Sequence, residues 1–237
     1  DPTGVAYGSS QFVANIPGMG AIIDEGTLHA RVCDDYHCSL EVYSNDINGH
    51  GGLTKLGIGT LVLTGNNSYA GPTLVNQGLL AVNGSVTSDV TVQSAGVLGG
   101  SGTLGSLTAR SGGTVAPGNS IGTLNVTRDV SFEPGSRYAV EVAANGQNDR
   151  IQSNGSATIG GGEVAVLQEK NVNLLSQGNA GSLIGRQFNI LTAQQGISGQ
   201  FTSTSTFSPF LGAELTYQPN QVTLNVGRND TSFASVA

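Results

Sequence analysis

Tryptophan is absent from this sequence, methionine occurs once, and lysine and arginine together number nine in 237 residues. Those few cations (among them Lys55, Arg110, Arg128, Arg137, Arg150, Lys170 and Arg186) are scattered along a chain of net charge −7. Nucleic acid is therefore excluded as a partner, because phosphate contacts need clustered Lys and Arg. Charged residues of both signs reach only 11%, where soluble domains commonly carry about a quarter. No apolar run approaches the ~20 residues that span a bilayer, and the N-terminus lacks a basic-then-apolar leader. Any signal peptide or membrane anchor is expected outside this stretch. Helix signals are almost missing as well, with one short helix-like patch at Glu169–Ser176.

Cysteine occurs twice, in Cys33-Asp34-Asp35-Tyr36-His37-Cys38. A disulfide between Cys33 and Cys38 would close a very small loop, worth roughly 2 kcal/mol by chain entropy, and would fit an extracytoplasmic location. Two alternatives stay open: a metal site using both thiols with His37 and either His29 or His50, and free thiols. The metal reading lacks the second cysteine pair of a typical zinc site.

What the sequence does have is glycine, 36 residues of it, and 38% hydrophobic residues. With charge so scarce and apolar content this high, the composition is that of a folding chain whose surface is covered by Ser, Thr, Asn and Gly. Short apolar, β-branched runs stand between Gly/Asn/Ser turns: Thr60-Leu61-Val62-Leu63, Leu79-Leu80-Ala81-Val82, Val90-Thr91-Val92, Val115-Ala116 and Leu124-Asn125-Val126. Alternation, as in Val90 and Val92 about Thr91, turns one face inward. The spacing repeats. Gly78-Leu79, Gly96-Val97 and Gly113-Thr114 recur at steps of 18 and 17, and Gly102-Thr103-Leu104 recurs 20 residues on as Gly122-Thr123-Leu124. A period of 17–20 is too short for propeller blades and lacks the leucine-rich-repeat pattern. It predicts an all-β solenoid, a parallel β-helix in which each coil gives one strand to two or three sheets.

Near residue 130 the pattern changes. Longer strand-like stretches follow at Ser136–Ala143, Gly162–Leu167, Arg186–Leu191, Glu214–Tyr217 and Gln221–Val226, and every phenylalanine except Phe12 lies from Phe132 onward. Bulky aromatics held for one end predict the best-packed coils there. The strand pattern fades again after Arg228.

The run Gly51-Gly52-Leu53-Thr54-Lys55-Leu56-Gly57-Ile58-Gly59-Thr60-Leu61-Val62-Leu63-Thr64-Gly65-Asn66-Asn67-Ser68-Tyr69, continued by Gly71-Pro72-Thr73 and Gly78-Leu79-Leu80, resembles the passenger-associated transport repeat of autotransporters. Ala116-Pro117-Gly118-Asn119-Ser120-Ile121-Gly122-Thr123-Leu124 resembles the turn-and-strand signature found downstream of it. Tyr138–Val142 with Asn148-Asp149-Arg150-Ile151 is similar to the opening of a pertactin-like autochaperone region. Gln200-Phe201, Leu215-Thr216-Tyr217 and Val222-Thr223-Leu224 resemble its closing strands, and Arg228–Phe233 resembles the approach to a barrel-threading linker. The resemblance covers about residues 45–237.

It implies a right-handed parallel β-helix with C-terminal capping, autochaperone coils. The implied layout is an N-terminal connector or first irregular coils at 1–45, transport-repeat coils at 46–130, the autochaperone-like cap at 131–228 and a linker at 229–237. It further implies a non-catalytic, cell-surface stem of a type V secretion passenger, without cofactor or metal. The implied partners are the protein's own C-terminal outer-membrane β-barrel and an N-terminal effector domain, with a host surface or like molecules as further possible partners. The segment before the repeat is similar to the exit from the catalytic domain of subtilisin-like autotransporter proteases. An adhesive or self-associating β-helix face is the alternative reading.

Catalytic patterns are thin. Gly118-Asn119-Ser120-Ile121-Gly122 matches G-x-S-x-G in letters, but that motif works at a strand-to-helix turn, and all three histidines (His29, His37, His50) lie in the first fifty residues. Ser120 is expected in a tight turn, with Pro117 fixing φ and Gly118 allowing the reversal. The acids Asp89, Asp129, Glu133, Glu141, Asp149 and Glu163 are too sparse to suggest a glycosidase pair. Gly99–Gly102 and Gly160–Gly162 precede no helix and are read as places where coils come close.

Overall fold

The structure, a computed structural model, describes residues 21–23, 27–31, 40–169 and 179–229. Its strands are short, and most show the inward–outward alternation expected of residues on a pleated surface. Thr60–Leu63, Thr114–Pro117 and Thr123–Val126 each alternate between partly exposed and buried positions. An inward row so short cannot be buried by its own coil, so the coils stack.

One face of the stack is an eight-stranded sheet: Leu40–Tyr43, Thr60–Leu63, Gly78–Val82, Gly96–Gly100, Thr114–Pro117, Arg137–Val142, Glu163–Gln168 and Ser203–Thr206. All its neighbours run parallel. Leu61 lies beside Leu80, Leu80 beside Leu98, Leu98 beside Val115, Val115 beside Tyr138 and Tyr138 beside Val164, one buried side chain per coil. The predicted steps of 18 and 17 are the true register, pairing Gly78 with Gly96 and Val97 with Thr114.

The other two faces belong to one 14-stranded sheet. They are joined because Ser85–Val92 bends around a corner. Its first residues pair with Asn66–Asn67 and its last with Thr73–Val75, with a register shift between Val86 and Asp89. On the third face Val75, Val92, Ala109, Phe132 and Ile159 form a second buried column. The parallel β-helix read from the sequence is the observed architecture. The coil pattern is already running upstream, where Ala21–Ile23 pairs parallel with Ile47–Gly49 and Thr27–Arg31 with Gly52–Leu56.

One expected repeat is out of register. Thr103 pairs with Asn125 and Leu104 with Val126, not with the Thr123-Leu124 that copies them 20 residues on. Gly100 to Thr103 of one coil is matched by Pro117 to Asn125 of the next, so the turn after Pro117 adds five residues and sets the true register two positions beyond the copy. A slip of two keeps every side chain on its face, so Leu104, Leu124 and Val126 all stay inside.

Beyond residue 130 the coils lengthen: Thr114 pairs with Arg137, Arg137 with Glu163 and Glu163 with Ser203. The longer loops carry extra elements, including the short helix Asn179–Leu183. The helix-like patch expected at Glu169–Ser176 lies, apart from Glu169, outside the described residues. The interior here holds the aromatic cluster Phe132, Tyr138 and Phe201, with ring centroids 5.1–6.1 Å apart. The stack ends in a hairpin of Leu211–Gln218 and Gln221–Arg228 turning at Pro219-Asn220. Gln221–Arg228 lies antiparallel on Gln187–Ala193 and buries Val222, Leu224 and Val226. The linker expected from 229 lies outside the described residues except Asn229, whose amide donates to the Phe210 carbonyl at 2.9 Å.

Candidate functional site

The residues that carry the strongest sequence motif, 51–80, make one full coil and begin the next, and some of the motif's polar side chains point into the interior. Asn67 is buried at the corner between the first and second faces. Its Oδ1 accepts the Ile47 amide of the preceding coil at 3.0 Å, while its Nδ2 donates to Gly65 O at 3.1 Å and to Ser85 O of the following coil at 2.9 Å. One side chain thus satisfies backbone groups of three successive coils, which a buried amide must do to avoid the cost of orphaned polar groups. Gly65 precedes it because there is no room for a side chain: a Cβ there would lie 2.4 Å from the Asn45 carbonyl oxygen.

Tyr69 is also fully buried, and its hydroxyl lies 2.5 Å from Thr73 Oγ1, which lies 2.8 Å from Ser88 Oγ. Burial pushes the Tyr69 hydroxyl up to about 12, against the pull of its two hydroxyl neighbours. Lys55 lies in the third-face column, in register with Ala30 upstream and Val75 downstream, and is wholly buried. Its ammonium donates to the carbonyls of Leu56, Gly57 and Gln77 at 2.9, 2.6 and 3.0 Å. Removal from water pulls its pKa down to about 8. No local pattern marks these inward polar positions, since Lys and Asn in a glycine-rich run read as surface.

Downstream, the two further motifs are one object. Asp149 is buried, and its Oδ1 accepts the amide of Gly122 at 2.8 Å while Oδ2 accepts the amide of Glu141 at 2.9 Å. The carboxylate clasps the Pro117–Gly122 turn to the strand Arg137–Val142. Ser120 lies in that turn, followed by the strand Thr123–Val126 and not by a helix. Gly118 at φ 85° makes the reversal, as the sequence suggested.

Three of the acids face arginines. Asp89 is held by Arg128 at 2.6 Å and by the Ser106 hydroxyl at 2.6 Å, Glu133 faces Arg110 at 4.0 Å, and Glu163 faces Arg137 at 3.7 Å. The Ser106 and Arg128 hydrogen bonds hold the Asp89 carboxyl below its usual range. Asp129 is lowered by two hydrogen bonds from Ser156. Among the described residues no three His, Cys, Asp or Glu side chains gather as metal ligands. His50 is exposed. Cys33, Cys38 and His37, and the side chain of His29, lie outside the described residues. The outer surface of the first face carries exposed apolar side chains at its upstream end, Leu40 at 64% and Val42 at 43%, with Ile58 at 64% on the adjacent turn.

Comparison with known proteins singles out the same coil. The model of the passenger-associated transport repeat matches residues 53–82. This chain is an autotransporter passenger stem, a stretch exported through the outer membrane to the cell surface or beyond. It is 49% identical over 232 residues to an extracellular serine protease of Serratia marcescens, and 28% identical over 194 residues to the Neisserial autotransporter lipoprotein NalP of Neisseria meningitidis serogroup B. A shorter match, 38% over 97 residues, is to the adhesin BmaC autotransporter of Brucella suis. The matches take in 98%, 82% and 38% of this chain but only 22%, 16% and 3% of those proteins.

Proposed function

We propose that this region is the non-catalytic stem of a protease-bearing autotransporter passenger, folding outside the cell from its C-terminal end and holding an N-terminal effector away from the surface. The carrying observation is the asymmetry of the stack. The downstream coils contain the Phe132–Tyr138–Phe201 cluster and end in a hairpin that adds two antiparallel strands to the last coil. That end holds what an isolated coil lacks, a filled interior and a finished edge, so it can form first and template the coil upstream. Such order suits a chain leaving through a barrel C-terminal part first, and the partners are then the protein's own barrel and its effector.

The layout follows the same division: an entry segment at 1–45, transport-repeat coils at 46–130, the folding-promoting cap at 131–228 and a linker beyond. The effector is a serine protease by analogy with the Serratia marcescens proteins. Deleting 131–228 from the full-length protein, with protease accessibility of the passenger on whole cells as readout, is expected to abolish surface display. Display at the normal level would overturn the reading. The exposed Leu40, Val42 and Ile58 favour a second reading, adhesion or self-association through the upstream outer face. Cells displaying the stem alone would then clump, and would stop clumping when those three positions are changed to Ser.

A further inference from the structure

We propose that the carbonyl oxygens of Leu56, Gly57 and Gln77 form a built-in cation cage at the corner of the transport-repeat coil, and that the Lys55 ammonium fills it from inside to pin two successive coils together. The geometry matches donor to acceptor. An ammonium has three N–H donors and no acceptor, and three carbonyls meet it at 2.9, 2.6 and 3.0 Å. Two of them directly follow Lys55, at the strand's last residue and in the turn after it, while the third, Gln77, is 22 residues on, in the corresponding turn of the next coil. The pin therefore closes only when both turns are in place.

The setting supports a designed site over a lysine stem packed by default. Lys55 is in register with Val75 in the column that continues through Val92, Ala109, Phe132 and Ile159. It is the one charged member of that column, and a hydrocarbon would satisfy the packing alone. No carboxylate pairs with its ammonium among the described residues, so the carbonyls alone hold the charge. The two turns are also stacked too closely for a side chain between them: a Cβ on Gly78 would lie 2.4 Å from Gly57 O and 2.6 Å from Gly59 O. Without the ammonium, three carbonyls at a crowded, partly buried corner would lose the one donor they share. The inference concerns this chain's own coil and does not rest on the export reading.

Lys55→Ala in this chain leaves the cage and removes a fragment whose shape is that of n-propylammonium. Hydrogen exchange of the amides in Gly52–Leu56 and Thr73–Val75 is expected to speed up about tenfold or more, with Arg150–Ser153 unchanged. Added n-propylammonium is expected to restore protection saturably, and n-propanol to leave it unrestored. Unchanged exchange, or equal restoration by propanol, would overturn the cage and leave a packed stem. A measurement without that variant covers the case in which it does not fold. Lys170→Arg leaves Lys55 as the single lysine, and ¹H–¹⁵N spectra selective for lysine Nζ should then show a water-protected ammonium at neutral pH. An ammonium exchanging as freely as that of a free lysine would refute the proposal.

Discussion

Tyr138 donates its hydroxyl to the carbonyl of Ile190 at 2.5 Å, across the interior and 52 residues along the chain. The ring sits within the aromatic cluster, and the hydroxyl reaches the strand on which the terminal hairpin is laid. Tyr138→Phe is expected to cost about 1–2 kcal/mol, the penalty for a buried acceptor left bare. Tyr138→Ala is expected to cost about 3–5 kcal/mol because a cavity is added. Urea unfolding followed by circular dichroism measures both, and a neutral Tyr138→Phe would show that the hydroxyl is dispensable.

The Asp149 clasp makes a graded prediction. Asp149→Ala strips the acceptor from two backbone amides, Gly122 and Glu141, at an expected cost of about 2–4 kcal/mol. Asp149→Asn keeps one carbonyl oxygen and should lose roughly half as much, again about 1–2 kcal/mol. Equal losses for the two variants would mean that the hydrogen bonds contribute little.

Ala95 is the single non-glycine residue with positive φ among the described residues, at 69°. Its counterparts in the next two coils are Gly112 and Gly135, at 76° and 79°, linked to it by amide-to-carbonyl bonds from Ala95 to Gly112 and from Gly112 to Gly135. An L side chain in this region costs about 1–2 kcal/mol, partly offset by glycine's extra freedom when unfolded. Ala95→Gly is expected to raise stability by about 0.5–1 kcal/mol, read as a higher urea midpoint.

Stability should fall in strong alkali. Burial raises the Tyr69 hydroxyl to about 12 from 10.0 and raises the Tyr138 hydroxyl as well. From pH 10 upward the unfolded chain loses phenolic protons that the folded chain keeps, so stability falls. Unfolding free energy measured from pH 7 to 11.5 should decline above pH 10, and Tyr69→Phe should lessen the decline.

The terminal hairpin predicts an aggregation phenotype. Ending the chain after Ser208 removes Gln221–Arg228, which pairs with Gln187–Ala193, and the strand laid on its far side, leaving a paired strand with a bare edge. Size-exclusion chromatography of that truncated chain should show oligomers or precipitate where the full chain elutes as a discrete species.

Much of this architecture was legible in advance because a β-helix writes its period into the spacing of its corners. Gly78, Gly96 and Thr114 were in true register from sequence alone, and the change beyond residue 130 marked the longer aromatic coils. What escaped was anything set by contacts between coils. The Gly-Thr-Leu copies misled because the longer turn after Pro117 puts the true register two positions beyond the copy, a shift that leaves the inward pattern intact. Lys55, Asn67 and Asp149 look like surface residues in a polar sequence. Their burial follows from partners 22, 18 and 27 positions away, separations with no local signature. Ser120 was the reverse case, a familiar motif in letters whose following strand leaves it only a turn.

The hairpin that ends the stack reverses strand direction on the second face, so that face presents no parallel template for a further coil. Lengthening can then happen only at the other side. A duplicated stretch of about one period would slot in as one more storey, lifting whatever lies upstream by about 4.8 Å and leaving the foundation untouched. Reach becomes a quantity that evolution can adjust in small increments, independently of how the molecule starts to fold.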